Sequence, residues 1–404
     1  MSGEPGVEAA SAAPARLAGR ASWSVELRPM RVRFGHGSLA HLGETVRQLG
    51  GSRVLVVTDR GIVDAGHVER AVESIEQAGL GCWVFDGVEE NPTERHVAAG
   101  VEAARRRGVD FLVGLGGGSS MDCAKGVNFL LTNGGKMEDY WGMGKATRPM
   151  LPSIGVPCTA GTGSEAQSFA LISREGDHRK LACGDPKARF LAVLLDPEVV
   201  QTAPREVVAM TGIDALSHAL ESLVTRVRNP LSSMLAREAF ASLDTHFEVV
   251  LGSGAEVEDW GEMLVGAHLA GAAIETSMLG AAHALANPLT AGFDVAHGAA
   301  IAIVLPWVVR FNADAVEPLY ARLRPVAGGW AAVEDGGRPF SEALALRLEG
   351  LRDAAGLPPS LRAVGVAEAD LERLAGQAAD QWTSGFNPRP VGAAELLELY
   401  RRAC

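Results

Sequence analysis

The first half of the chain alternates short apolar runs with amphipathic helical segments, and this alternation restricts the fold more than any other feature. The runs are rich in Val, Leu and Ile, as expected for strands buried on both faces of a parallel sheet. Helical periodicity fills the intervals, for example at about residues 63–77 and from the turn and helix start at 91–93 to about residue 107. The pattern predicts an α/β domain with a mainly parallel sheet, with strands at residues 54–58, 82–85, 111–115, 151–156 and 191–195.

The pattern changes near Asp196 and Pro197. Pro204 is well placed as the first residue of a helix, and from there to Cys404 the periodicity is helical with almost no strand pattern. Residues 1–24 are rich in Ala, Ser, Pro and Gly, so we expect a disordered or extended tail. The predicted domains are therefore α/β at 25–203 and all-helical at 204–404. Gly and Pro residues are expected to divide the helices, at residues 229–230, 252, 287–288, 328–329 and 357–359.

The composition of the chain excludes several classes of function. The net charge is −12, which argues against nucleic acid or an acidic membrane surface as a partner. Five scattered cysteines without a Cys-x-x-Cys pair do not suggest a disulfide framework or a zinc ribbon. No signal-peptide pattern is recognised at the start of the sequence, and the apolar run at 299–309 is too short to span a bilayer. A soluble, cytoplasmic protein is expected.

Four residues in the second half are candidate metal ligands. Asp214 and His218 are four residues apart, so they share one face of a helix. His283 and His297 are fourteen apart, a gap that only the tertiary fold can close. One carboxylate and three imidazoles suit ferrous iron, zinc, nickel or cobalt better than calcium or magnesium. The spacing alone also allows a helical Asp–His pair and two unrelated core histidines.

Two glycine-rich turns are candidate nucleotide sites. Residues 114–120 (Gly-Leu-Gly-Gly-Gly-Ser-Ser) follow a predicted strand and precede a helix, where backbone N–H groups can bind phosphate. The string matches neither the Rossmann nor the Walker pattern, and a simple tight turn is the alternative. Residues 159–165 form the second turn. Asp59 ends the first predicted strand and favours NAD over NADP by repelling a 2′-phosphate; it is equally suited to be a helix N-cap.

Taken together, these motifs resemble the iron-containing (group III) alcohol dehydrogenase family over nearly the whole chain after residue 25. The resemblance implies a dinucleotide-binding α/β domain, a helical metal-binding domain and an active site in the cleft between them. It also implies dimers or larger homo-oligomers. The matching segments are 34–37 (Phe-Gly-His-Gly), 57–59 (Val-Thr-Asp), 91–93 (Asn-Pro-Thr), 116–122 (Gly-Gly-Gly-Ser-Ser-Met-Asp), 157–165 (Pro-Cys-Thr-Ala-Gly-Thr-Gly-Ser-Glu), 212–218 (Gly-Ile-Asp-Ala-Leu-Ser-His), 283–297 and 387–390 (Asn-Pro-Arg-Pro).

The resemblance implies a role for individual residues. Metal ligands with a catalytic role through the metal fall on Asp214, His218, His283 and His297. Many family members carry a histidine where this chain has Asn287, which cannot titrate near neutral pH. A proton relay must therefore use another group. Coenzyme contacts fall on Asp59, Gly117, Gly118, Ser119, Asp122, Thr159, Thr162 and Lys180.

The expected activity is that of a metal-dependent NAD(H)-linked alcohol dehydrogenase or aldehyde reductase. Hydride would pass between a metal-bound alkoxide and C4 of the nicotinamide, with ferrous iron expected and zinc as the other candidate. The alternatives are a zinc-type polyol dehydrogenase or another metal-dependent NAD enzyme of the superfamily, and a non-catalytic nucleotide sensor. The expected substrate is a small alcohol or aldehyde. Candidate pocket walls are Phe169, Trp141, Met278, Phe386 and Trp307.

Overall fold

A computed structural model describes residues 23–25, 29–176, 180–327 and 338–404 of the 404-residue chain. The first 22 residues of the predicted tail and the glycines at 328–329 lie outside the described residues.

A six-stranded sheet in the order β1-β9-β6-β4-β2-β3 forms the centre of the N-terminal half, and all of its strand pairs are parallel. This confirms the predicted α/β fold class. A three-stranded sheet, β5-β8-β7, was not predicted. The strands are β1 Arg31–Phe34, β2 Arg53–Asp59, β3 Gly81–Val88, β4 Phe111–Gly116, β5 Gly142–Met143, β6 Ser153–Pro157, β7 Phe169–Ser173, β8 Lys180–Gly184 and β9 Ala192–Leu195.

Helices connect the parallel strands. The predicted helix at 63–77 is two helices, because Gly66 adopts a left-handed conformation with φ of 80° and separates them. The helix after the first glycine-rich turn begins at Gly118, earlier than its apolar residues indicate. The helices of this half are α1 Leu42–Gln48, α2 Arg60–Asp64, α3 His67–Gln77, α4 Glu94–Arg107, α5 Gly118–Asn133 and α6 Pro197–Val200.

After β9 the described residues contain helices and no further strand, as predicted. The first long helix begins at Arg205, one residue after Pro204. The predicted domain boundary at 203–204 lies in the segment between α6 and this helix, and it stays a prediction. The helices are α7 Arg205–Val224, α8 Pro230–Leu251, α9 Val257–Glu275, α10 Ala281–Phe293, α11 His297–Tyr320, α12 Phe340–Ala354, α13 Leu371–Ala379 and α14 Ala393–Ala403.

One predicted helix division is wrong. Asn287 and Pro288 lie inside α10 instead of ending a helix. Pro288 lacks the N–H that would bond to the carbonyl four residues earlier, yet Pro288 and Leu289 are buried. Packing of this apolar helix in the core outweighs the local cost of the proline.

The helices of the second half share one large apolar core with residues from the sheet, such as Val193 and Leu195. Helix α7 and the segment His297–Leu323 are long and apolar enough to cross a membrane by length and composition. Most of each segment is buried inside the protein, with 83% and 67% of the residues in their most apolar windows covered. This is the burial expected of central core helices.

Candidate active site

Three helices supply the four predicted metal ligands. Asp214 and His218 lie on one face of α7, His283 lies in the first turn of α10, and His297 is the first residue of α11. The start of α11 packs directly on α7: a Cβ at Gly298 would lie 2.2 Å from the carbonyl oxygen of Met210. The glycine therefore permits the close helix contact that carries His297 toward α7.

The ligand atoms of the four residues converge. Oδ1 of Asp214 lies 3.4 Å from Nε2 of His218, 3.6 Å from Nε2 of His283 and 3.7 Å from Nε2 of His297. The Nε2 atoms of His218 and His283 are 3.1 Å apart. We call these four residues the metal centre. Their meeting removes the alternative of a helical Asp–His pair with two unrelated core histidines.

Burial and charge shift the pKa values of these groups. Burial lowers the pKa of His218, and it lowers the pKa of His297 to about 3. Burial also acts to lower the pKa of His283, but the contacts with Asp214 and Glu221 outweigh it and raise that pKa to about 9. Burial alone would raise the pKa of Asp214, yet the three imidazoles hold it well below its usual range. At neutral pH the centre thus offers one carboxylate and two neutral imidazoles.

The donor set fits a divalent transition metal. Oδ1 of Asp214 is buried and has no hydrogen-bond partner among the described residues, and the same holds for Nδ1 of His297. The ligand atoms of Asp214, His283 and His297 all lie within 4.8 Å of one another. A buried carboxylate oxygen facing several imidazole nitrogens is an arrangement in which a bound metal can take the place of the His283 proton, and mixed oxygen and nitrogen ligands suit iron or zinc.

The glycine-rich turn lies where β4 meets the N-terminus of α5. Gly117 is the N-cap residue, and no side chain caps the helix, so the first N–H groups of α5 are open to an anion. The second turn packs against it. A Cβ at Gly118 would lie 2.8 Å from the side chain of Thr162, and one at Gly117 would lie 3.6 Å from that of Thr159. The structure therefore brings both glycine turns together, with Ser119 in the first turn of α5.

Asp59 ends β2 beside this turn. Its Oδ1 accepts a hydrogen bond from the N–H of Ile62 at 3.2 Å, and its Oδ2 accepts one from the Ser120 hydroxyl at 2.9 Å. Asp59 is therefore a helix N-cap as well as a neighbour of the glycine turn. Arg60 points to the adjacent strand, where its guanidinium lies 2.6 Å from Asp86.

Asp122 lies on α5 but turns toward the second glycine turn and β7. Its Oδ1 accepts a hydrogen bond from the Ser164 hydroxyl at 2.5 Å, and its Oδ2 accepts one from the N–H of Leu171 at 3.1 Å. The buried ammonium of Lys125 donates to Ser164 and to the carbonyl of Phe169. Through its bonds to Ser164 and Leu171, Asp122 joins α5 to β7 and to the loop that precedes it.

Lys180 begins β8 between the two parts of the site. Burial lowers the pKa of its ammonium, whereas the negative charges of Asp122, Asp214 and Glu90 raise it. The positive charge of Lys180 in turn helps to lower the pKa of His297. Lys180 is therefore electrostatically linked both to the metal centre and to α5.

Three aromatic side chains form a cluster. The ring of Phe169 stacks on Trp382 at 5.7 Å between centroids, and Phe386 meets Trp382 edge-on at 6.1 Å. We call Phe169, Trp382 and Phe386 the aromatic wall. Gln381, next to Trp382, accepts a hydrogen bond from Asn287, one helical turn beyond His283. The wall is therefore connected, through Gln381 and Asn287, to α10, the helix that carries His283.

The other candidate wall residues lie in different surroundings. Trp307 packs against the guanidinium of Arg310 at 4.9 Å, and Trp141 is 39% exposed. Met278 lies in the connection between α9 and α10. Trp382 was not predicted, although it lies only four residues before Phe386 and five before the 387–390 segment, because no spacing or periodicity marks its side chain as part of a site.

Family models match both halves of the chain. A family model described as "Iron-containing alcohol dehydrogenase" matches residues 29–197, and one described as "Fe-containing alcohol dehydrogenase family, C-terminal" matches residues 208–404. Lactaldehyde reductase of Escherichia coli is 33% identical over 377 residues, covering 92% of this chain and 97% of that protein. The 1,3-propanediol dehydrogenase of Citrobacter freundii is 31% identical over 375 residues, covering 92% of this chain and 96% of that protein.

Solved structures show the same likeness. A crystal structure of a 1,3-propanediol oxidoreductase matches with a TM-score of 0.89 and 30% identity, over 93% of this chain and 98% of that one. An alcohol dehydrogenase from Oenococcus oeni matches with a TM-score of 0.89 and 27% identity, over the same shares of the two chains.

Proposed function

Because the chain belongs to the iron-containing alcohol dehydrogenase family and is an oxidoreductase of alcohols and aldehydes, we propose that its metal is ferrous iron, that its coenzyme is NAD(H) and that Asp214, His218, His283 and His297 hold the metal. The observation that carries this proposal is the convergence of one carboxylate oxygen and three imidazole nitrogens in a buried site.

A divalent metal at this centre supplies Lewis-acid polarisation of the substrate oxygen. The protein supplies position and charge. Asp214 contributes the negative charge that compensates part of the cation's charge in a buried site. The Nε2 atoms of His218, His283 and His297 face its carboxylate. The close contact of α7 with α11 fixes the distance between two of the three helices that carry these ligands.

The glycine turns are proposed to hold the coenzyme diphosphate. Gly117, Gly118 and Ser119 present the N-terminus of α5, and Thr159 and Thr162 line the opposite turn. Asp59 is proposed to face the adenosine ribose, where its carboxylate would repel a 2′-phosphate. Arg60 is held in an ion pair with Asp86, which supports NAD because it draws the nearest guanidinium away from Asp59. Lys180 is proposed to lie beside the nicotinamide ribose.

Asn287 donates a hydrogen bond to Gln381 and has no titratable group to contribute. The proton of the alcohol is therefore proposed to leave through water or a coenzyme hydroxyl.

The proposed substrate is a short or medium alcohol or aldehyde. The relatives named for lactaldehyde and 1,3-propanediol support a small substrate, and the aromatic wall supports an apolar tail on it. A zinc-type polyol dehydrogenase remains the second candidate, and metal replacement distinguishes the two.

The test is to strip the purified protein with a chelator and follow oxidation of NADH or NADPH with a panel of aldehydes after adding iron, zinc or no metal. We expect activity to return with iron and NADH. Activity that returns only with zinc would favour the second candidate, and activity indifferent to metal would refute the metal centre.

A second copy of this chain is the proposed protein partner. Strand β1 is an edge strand, and Val32 and Phe34 on it are about half exposed. Edge strands with apolar side chains readily pair with another chain. The mass in solution, measured by light scattering, should be at least twice 42.3 kDa.

A further inference from the structure

Glu221 is a buried acid that the proposed catalytic machinery does not use. It lies on α7 three residues after His218 and seven after Asp214, so all three share one helical face. The residue is only 4% exposed. A carboxylate at such a place requires partners inside the protein.

Both oxygens of Glu221 contact the first turn of α10. Oε1 accepts a hydrogen bond from the backbone N–H of Ala282 at 2.7 Å, and Oε2 lies 2.6 Å from Nδ1 of His283. Gly280 leaves room for this approach, since a Cβ there would lie 3.0 Å from Oε1 of Glu221. One carboxylate thus holds both the backbone and the ring at the place where α10 presents His283.

We propose that Glu221 is a positioning residue that fixes the ring orientation and the tautomer of His283, and thereby sets the affinity of the metal centre. The inference rests on the proposed function, because it requires a metal bound by His283.

The physical reason is that an ionised carboxylate has no hydrogen to donate. An ionised carboxylate only accepts hydrogen bonds, so the neutral imidazole facing it carries its proton on Nδ1. The lone pair is then on Nε2, which faces Asp214 at 3.6 Å and His218 at 3.1 Å. A carboxylate on the outer nitrogen of a ligand histidine also strengthens its basicity toward the metal. In addition, Asp214 and Glu221 together carry the two negative charges that match a divalent cation.

The variant Glu221→Gln tests the tautomer directly. Its carbonyl oxygen can still accept the N–H of Ala282, but its NH₂ group then faces Nδ1 of His283. That arrangement favours the tautomer with the proton on Nε2, which blocks the lone pair needed by the metal. We expect the Kd for Co²⁺, measured by competition with a chelator, to rise about 10- to 100-fold.

Asn387→Ala is the matched control. Asn387 accepts the neighbouring N–H of Ala281 at 3.2 Å and belongs to the same helix start, but no described contact joins it to the ring of His283. We expect this variant to lower the melting temperature while the Kd for Co²⁺ stays close to that of the unmodified protein. Equal weakening of metal binding in both variants would overturn the inference, because the helix start rather than the tautomer would then control affinity.

Two further outcomes separate the inference from the proposed function. If the unmodified protein binds no Co²⁺ at the centre, the proposed function fails and the inference fails with it. If it binds Co²⁺ and Glu221→Gln binds equally well, only the inference fails.

Should Glu221→Gln not fold, the metal-free unmodified protein provides the test by NMR of ¹⁵N-labelled histidine rings at a pH above the pKa of His283, about 9, because no metal then dictates the tautomer. His283, identified by comparison with His283→Ala, should carry its proton on Nδ1; a proton on Nε2 would overturn the inference.

Discussion

At the metal centre, four side chains from three helices bring their ligand atoms within 4 Å of the Asp214 carboxylate or of one another. The proposed coenzyme site consists mainly of backbone N–H groups at the start of α5 and of space left by Gly117 and Gly118. Metal binding depends on the identity of four side chains, whereas coenzyme binding is expected to depend on the absence of side chains at Gly117 and Gly118. Substitutions should therefore separate the two functions, metal binding and coenzyme binding.

The largest effect is expected from Asp214→Ala. Loss of the carboxylate removes the negative charge that faces three imidazoles, so the purified protein should lose its metal. We expect activity to fall on the order of 10³-fold, equivalent to ~4 kcal/mol of lost transition-state stabilisation. Metal analysis and NADH kinetics measure this, and the affinity for NADH should change little. A variant that keeps full metal content would contradict the assignment of Asp214.

The complementary substitution is Gly118→Ala. A Cβ there would lie 2.8 Å from Cγ2 of Thr162, closer than two carbon atoms can pack, so the two turns must move apart. We expect kcat/KM for NADH to fall about 100-fold, as for a displacement of about 1 Å at a reacting site, with the metal retained. Gly376→Ala on α13 is the control, because a Cβ there meets nothing within 4 Å. If Gly118→Ala lost the metal instead, substitutions would not separate metal binding from coenzyme binding.

The pH dependence should also differ between the two sides. The raised pKa of His283, about 9, means that its proton must leave before Nε2 can bind a metal. Below that pKa, the Kd for metal should fall about tenfold for each unit of rising pH. Titration with Zn²⁺ against a chelator at pH 6, 7 and 8 measures the slope. A slope of zero would show that no ligand proton is displaced.

The smallest effect is expected from Trp382→Ala. Removing the ring that stacks on Phe169 should reduce kcat/KM for medium-chain aldehydes about fivefold, or ~1 kcal/mol, and should change short aldehydes less. Trp83→Ala is the control, since Trp83 lies on β3 against Arg107. An equal loss of kcat/KM for aldehydes of all chain lengths would show that the aromatic wall does not line the substrate pocket.

The two sides also differ in how far the sequence predicts them. The i to i+4 spacing placed Asp214 and His218 on one helical face, but nothing in the chain order could show that α10 and α11 bring His283 and His297 to it. That meeting depends on contacts such as Gly298 against Met210. The resemblance to a known family was therefore needed to complete the ligand set.

Other features escaped sequence reasoning for related physical reasons. The three-stranded sheet was missed because its strands are short: β5 has two residues, and β7 and β8 have five each. Pro288 suggested a helix end, although burial of α10 overrides that local preference. Glu221 was recognisable as a buried acid on the ligand face of α7, but its bond to His283 spans 62 residues of sequence.

The most direct test of the metal centre is anomalous X-ray diffraction at the iron absorption edge from crystals of the iron-loaded protein. The structure predicts one strong peak among Asp214 Oδ1 and the Nε2 atoms of His218, His283 and His297. A peak at any other place in the chain, or no peak from protein that is active with iron, would contradict the account.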